Sequence, residues 1–472
     1  MAETRSNSSP VADLLVALDR DGTEPLHRQI ATSIRDGIRG GRLRRGTALP
    51  PTRSLAADLN VSRGVVVEAY QQLRAEGYLV SRVGGYTEVA AGQATADVPP
   101  PPEPVRKTEP RITFRYGRAD PAQFPRAAWL RSVNHVLTQA PNDRFGYLSG
   151  HGTPELRQAL ADYLNRVRGT SASPRNIVIC NGFAQGMGLL IEVLASMNMR
   201  RLAVEDPSPW DDLVPASATH RVELVPIPVG PDGIRTELLD QSGAEAVLVT
   251  PSHQWPTGAV LGPGQRSDLL GWAKERNGLI IEDDYDAEYR YDRAPVGALH
   301  GLAPEHVVYT GTASKTLAPG LRLGWLILPG RLVEPVAEAK IAADRGSATI
   351  DQLTFADLLA RGEFDRHLRR MRPVYRRRRD ALLTALAREL PELKPDGISA
   401  GFHLVAWLPP DLDEEAVVAA AARQGVGVSG LAACRMTPGP PGLLFGYAGL
   451  SEHAIAEGVT LLAKAIHTLR QK

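Results

Sequence analysis

Apolar residues recur every four positions at Leu26, Ile30, Ile34 and Ile38, which predicts a helix with a single apolar stripe. Gly40-Gly41 ends it. Thr52 or Ser54 is placed to cap a short second helix reaching Leu59, and Asn60-Val61-Ser62 is a tight turn. A third helix from about residue 63 to 76 buries Val66, Ala69, Tyr70 and Leu73, and Gly77 stops it. Residues 78–89 then predict a hairpin turning at Gly84-Gly85. From Pro154 onward the pattern changes. Continuous apolar runs (Ile177-Val178-Ile179-Cys180, Ala246-Val247-Leu248-Val249, Gly278-Leu279-Ile280-Ile281, His306-Val307-Val308-Tyr309) alternate with helical stretches. Such runs predict a mostly parallel sheet covered on both faces.

The two patterns imply separate domains. Residues 91–111 contain Pro99-Pro100-Pro101-Pro102 and predict an extended, semi-rigid spacer. This divides the chain into 1–90, an α+β winged helix-turn-helix, and 112–472, an α/β domain. Its large subdomain covers about 150–330 and the remainder forms a small one. In a winged helix-turn-helix the third helix enters a major groove with its N-terminal residues facing base edges. Those residues are Ser62, Arg63 and Gly64, with Arg53 placed to reach a phosphate and Gly84 and Gly85 at the tip of the wing.

Charge sharpens this picture. The 472-residue chain has a net charge of only +1. Residues 28–82 nevertheless hold ten arginines against four acids, an excess of six that suits a DNA-binding face. The two cysteines, Cys180 and Cys434, are too few for a disulfide framework, which with the polar N-terminus predicts a cytoplasmic protein. Arg376 to Arg379 in a long helical stretch are expected to form a solvated face.

Lysine is scarce: seven residues among 54 cations. Lys315 follows a strand and the small residues Thr312-Ala313-Ser314, with Arg322 seven positions on. A primary amine is what a Schiff base requires. A pyridoxal phosphate site also needs a carboxylate at the ring nitrogen and donors around the phosphate. Asp283 ends a strand, and Tyr285 projects to the same side two residues later. Gly182, Phe183 and Ala184 lie where a strand gives way to a helix, a setting that favours an anion. Thr312, Ser314 and Arg322 supply further donors, and Trp210 can stack on the ring. An acidic loop or a magnesium site is the plainer account of residues 282–286, and an ordinary half-buried aromatic that of Trp210. No metal is expected.

Residues 49–56, Val61-Ser62-Arg63, Ala69-Tyr70-Gln71-Gln72-Leu73 and Glu76-Gly77-Tyr78 resemble the GntR family. Residues 112–472 resemble fold-type I aminotransferases through Tyr147-Leu148-Ser149-Gly150-His151-Gly152, Glu205-Asp206-Pro207, Pro256-Thr257-Gly258, Asp283-Asp284-Tyr285 and Ser314-Lys315. In this order they resemble the MocR/GabR regulators. The resemblance implies pyridoxal phosphate held as an internal aldimine on Lys315. It also implies a double-stranded DNA partner, an amine, amino-acid or vitamin B6 effector, and a head-to-tail homodimer. Two departures favour sensing over turnover. Trp255 stands where these enzymes carry asparagine, with His253 or Gln254 as replacement. Leu444 stands where they carry the arginine that clamps a substrate carboxylate, with Arg435 as the candidate replacement. An active aminotransferase with an attached DNA-binding module is the alternative.

Overall fold

The computed structural model describes residues 14, 16–81, 86–90, 110–117, 119–291, 297–397 and 400–471. It divides into two compact units, Met1–Lys107 and Thr108–Lys472. The expected wing tip at Gly84 and Gly85, and nearly all of the Pro-rich stretch, lie outside the described residues.

The first unit has helices α1 (Leu26–Arg39), α2 (Thr52–Asp58) and α3 (Arg63–Ala75). Its sheet has the order β1 (Ala48–Leu49), β3 (Thr87–Val89), β2 (Leu79–Ser81). The four-residue stripe does what its spacing predicts: Ile30, Ile34 and Ile38 are buried with Val66, Ala69, Tyr70 and Leu73 in one core. The Tyr70 hydroxyl donates to the Pro50 carbonyl at 2.9 Å, so its polar tip is satisfied inside that core. Capping of α2 differs from expectation. Pro51 precedes the helix and no side chain caps it. Thr52 is already helical, so its hydroxyl is free to accept from Arg63 at 3.4 Å.

In the second unit β4 (Ile112–Thr113) pairs with β15 (Val426–Gly427) at the edge of a small subdomain. Helices α4 (Arg126–Gln139), α5 (Pro154–Arg168) and α6 (Phe183–Ser196) precede and flank an eight-stranded sheet. Its strands are β5 (Ile177–Cys180), β6 (Arg201–Asp206), β7 (Glu223–Gly230), β8 (Gly233–Ile234), β9 (Ala246–Val249), β10 (Leu279–Asp283), β11 (Val307–Thr312) and β12 (Gly324–Ile327). They lie in the order β5-β12-β11-β10-β9-β6-β7-β8. The run from β11 to β7 is parallel, and β12 and β8 are antiparallel to their neighbours. Strands covered on both faces bury every residue, as in β5, β9 and β12. The small subdomain carries β13 (Lys394–Asp396), β14 (His403–Trp407), β16 (Ser429–Gly430) and β17 (Gly442–Gly446).

The arginine run is a solvated face only in part: Arg376 and Arg377 are exposed, whereas Arg378 and Arg379 turn inward. On the helix Glu363–Glu389, Arg378 pairs with Asp120 at 2.9 Å, and Arg379 is buried over the Tyr291 ring at 4.9 Å. Arg376 donates to the Tyr291 carbonyl. Two arginines in sequence face different sides of a helix, so part of any such run must turn inward. No described helix is long and apolar enough to cross a membrane.

Candidate functional site

Parallel strands bring their carboxyl ends to one edge, where ligands bind in sheets of this kind. There β10 ends at Asp283 and β11 at Thr312. Asp283 pairs in register with Thr310, whose hydroxyl donates to the carboxylate at 2.9 Å. A cavity of about 420 Å³ opens beside them. Its walls include Asp283, Tyr285, Thr312, Ser314, Lys315, Arg322, Phe183 and Ala184. Eight sequence candidates thus converge although they span 140 positions (322 − 183 + 1).

Each has a local reason for its position. The Lys315 amine donates to the Gly117 carbonyl at 2.5 Å, which holds it in the cavity. A Cβ on Gly117 would lie 3.2 Å from that amine, and the residue has φ of +74°, so glycine suits both the turn and the approach. Burial pushes the Asp283 carboxyl up to about 7, opposed by Thr310 and Lys315. Gly182 precedes α6 at φ of +89°, leaving the first amides of Phe183 and Ala184 turned towards the cavity end of the helix. Arg322 takes the left-handed conformation and donates to the Asn181 carbonyl at 2.6 Å, beside that helix end. The Ser314 amide donates to the Thr312 hydroxyl at 3.1 Å, which tightens the turn before Lys315.

Other candidates lie elsewhere. Gly182 does not line the cavity but sits under Arg322, whose guanidinium is 3.4 Å from a Cβ placed there. Trp210 is also absent from the lining; it packs on the core of α6, while its neighbours Pro209, Asp211 and Asp212 face the cavity. His253 is buried behind Tyr285, with Nδ1 2.8 Å from Asp286 and 3.1 Å from the Tyr285 hydroxyl. It reaches the cavity only through that phenol. Gln254 is used by the loop: it donates to the Pro207 carbonyl and accepts from Thr257. Arg435 lines a different hollow and donates to the Pro440 carbonyl at 3.2 Å. Leu444 is fully buried in β17, so neither it nor Arg435 puts a cation on the cavity wall. Trp255 does face the cavity, packed against Tyr116 at 5.4 Å.

Tyr116, Gly117, Asp211 and Asp212 were not singled out from the sequence. The signals were thin: a glycine after an aromatic, and an acidic pair following the Trp210 that drew attention instead.

On the first unit Arg53, Ser62, Arg63 and Gly64 are all exposed around the turn between α2 and α3. A Cβ on Gly64 would meet only the Ser62 hydroxyl, at 3.8 Å, so the start of α3 presents an open surface. Three other arginines are structural. Arg35 pairs with Glu76 at 2.8 Å, Arg39 donates to the Tyr78 hydroxyl, and Arg74 reaches Thr87 of β3.

Known proteins match both units in this order. Residues 26–89 match the bacterial regulatory proteins of the gntR family, and residues 117–461 match aminotransferase class I and II. The probable rhizopine catabolism regulatory protein MocR of Rhizobium meliloti is 34% identical, over 96% of each chain. The chain belongs to this family of gntR-type regulators with an aminotransferase domain. Another member, the pyridoxine biosynthesis transcriptional regulator PdxR of Corynebacterium glutamicum, is 31% identical over 94% of this chain and 97% of its own. Among solved structures, an archaeal alanine:glyoxylate aminotransferase covers 76% of the chain and 91% of itself, at 27% identity and a TM-score of 0.70. The α-aminoadipate aminotransferase LysN of Thermus thermophilus, complexed with a phosphopyridoxyl-leucine, has 25% identity and a TM-score of 0.68, covering 76% and 93%. As a member of this family, the chain has a cavity whose donor set fits pyridoxal phosphate: an amine, a buried carboxylate, two hydroxyls, a guanidinium and a helix N-terminus.

Proposed function

We propose that this chain is a pyridoxal phosphate-dependent transcriptional regulator that binds double-stranded promoter DNA and responds to an amine, an amino acid or the vitamin B6 state. The observation that carries the reading is the pairing, in one chain, of an exposed helix-turn-helix surface with a cavity that offers a lysine amine to a cofactor. Pyridoxal phosphate supplies an aldehyde that condenses with primary amines. Lys315 would provide the amine that anchors it, Asp283 would balance the ring nitrogen, and Tyr285, whose hydroxyl donates to the His253 carbonyl, would flank the ring's edge. Thr312, Ser314, Arg322 and the start of α6 bind the phosphate. Effector binding favours one arrangement of the protein and thereby changes DNA affinity. The regulator works in the cytoplasm as a head-to-tail homodimer whose two readers engage two half-sites. The aminotransferase fold serves as a sensor and not for turnover.

The test is DNA titration with and without the cofactor. A cofactor-dependent change in affinity for the chain's own promoter region supports the reading, and cofactor-independent, sequence-blind binding sinks it. The second reading, an active aminotransferase carrying a DNA-binding module, is favoured by the intact floor of the cavity. Repeated turnover of an amino acid with a keto acid would establish it.

A further inference from the structure

Among the described residues, the charges lining the cavity do not balance. Among the described lining residues the cations are Lys315 and Arg322, and the acids are Asp211, Asp212 and Asp283. In the proposed function Lys315 anchors the cofactor, Arg322 holds its phosphate and Asp283 faces its ring. Asp211 and Asp212 are left over, and neither carboxylate has a hydrogen-bond or ion-pair partner among the described residues. Both lie on the short turn Trp210–Leu213, and Asp212 is within electrostatic reach of Lys315. The Tyr116 phenol is near both of them, and its ring packs on Trp255 at 5.4 Å. One wall of the cavity therefore combines two carboxylates with two aromatic rings. Carboxylates attract an ammonium group by charge, and ring faces attract it through their quadrupoles. The same wall repels a carboxylate, and among the described lining residues no arginine besides Arg322 is present to reverse the sign.

We infer that the effector is a primary amine whose far end carries a second cationic group, a diamine and not an α- or ω-amino acid. One amine addresses the Lys315 end of the cavity, and the second ammonium sits between Asp211, Asp212, Tyr116 and Trp255. This rests on the amine-sensing reading above and names its ligand class.

The purified cofactor-loaded chain is titrated with 1,4-diaminobutane, 1-aminobutane and 4-aminobutanoate while the absorbance band of the lysine-bound cofactor is followed. The diamine is expected to reach its half-point at a concentration about tenfold below the monoamine, and the amino acid above both. In the double variant Asp211→Asn, Asp212→Asn the diamine's advantage collapses, and in Asp212→Glu it is retained. Added salt narrows the gap in the native chain. Equal half-points for diamine and monoamine, a preference for the amino acid, or an advantage that survives in the double variant overturns the inference. So does a band that none of the three moves, although the cofactor reading then stands. A chain that shows no band at all overturns the cofactor reading itself, which makes the two failures distinguishable.

Discussion

The two units place function differently in relation to their cores. In the first, the core is aliphatic and aromatic, and the candidate DNA contacts Arg53, Ser62 and Arg63 lie outside it. In the second, the carboxyl ends of the strands carry buried polar groups that hold both the site and the fold. Arg168 pairs with Asp284 at 2.6 Å with both side chains buried, and Tyr309 and Ser252 complete the network. Glu205 accepts from Thr250, and Glu282 accepts from the amides of Leu299 and His300. A surface function can be edited without touching stability. A function built on buried polar groups cannot, because each group removed leaves a partner unsatisfied.

The sharpest test of this contrast is Lys315→Ala. It should abolish the cofactor's absorbance band entirely, as read by spectroscopy of the dialysed protein, while the first unit still binds DNA. Next, Asp284→Ala should cost about 3–5 kcal/mol, because it strands the buried Arg168 guanidinium. Denaturant unfolding reads this directly, and a loss under about 1 kcal/mol would break the comparison. Arg63→Ala should cost about 1–3 kcal/mol of specific DNA affinity while leaving the unfolding midpoint of the first unit nearly unchanged. An equal loss of stability would show that Arg63 belongs to the fold.

The smallest effect expected is one of pH. Burial pushes Glu205 and Glu282 up to about 7, against an unfolded value of about 4.3. Folding therefore takes up protons at these sites. Their contribution is complete below about pH 4.3 and is lost as pH climbs through about 7. Glu76 of the first unit has the opposite sign: Arg35 and Gln72 hold its carboxyl below the usual range, so its contribution is lost only on acidification. Calorimetry between about pH 5 and 8 should show the melting of the second unit falling while that of the first stays level. Parallel trends in both would undo the distinction.

How far the sequence could be read follows from the same contrast. The first unit is local: a stripe at Ile30, Ile34 and Ile38 and a stop at Gly77 suffice, because helix contacts repeat at short spacing. Even there the cap of α2 was misplaced, since Pro51 presets the first turn without a side-chain bond. In the second unit the residues carried on strand ends, Asp283, Thr312 and Lys315, were legible from apolar runs that stop at polar groups. Tyr116 and Gly117 were not, because only the completed fold brings them to a lysine 198 positions away. Trp210 drew attention as an aromatic after Pro209, yet its apolar ring follows the core and leaves the cavity to the acids beside it. Nor could periodicity show that Arg378 and Arg379 are drawn inwards by Asp120 and Tyr291, which come from distant segments.

The bond between the Lys315 amine and the Gly117 carbonyl ties the site to a part of the chain far from it in sequence. Gly117 is ten residues beyond Lys107, where the first unit ends (117 − 107). On the proposed reading, an exchange of partner at Lys315 would release the Gly117 carbonyl, an acceptor on the segment that directly follows β4.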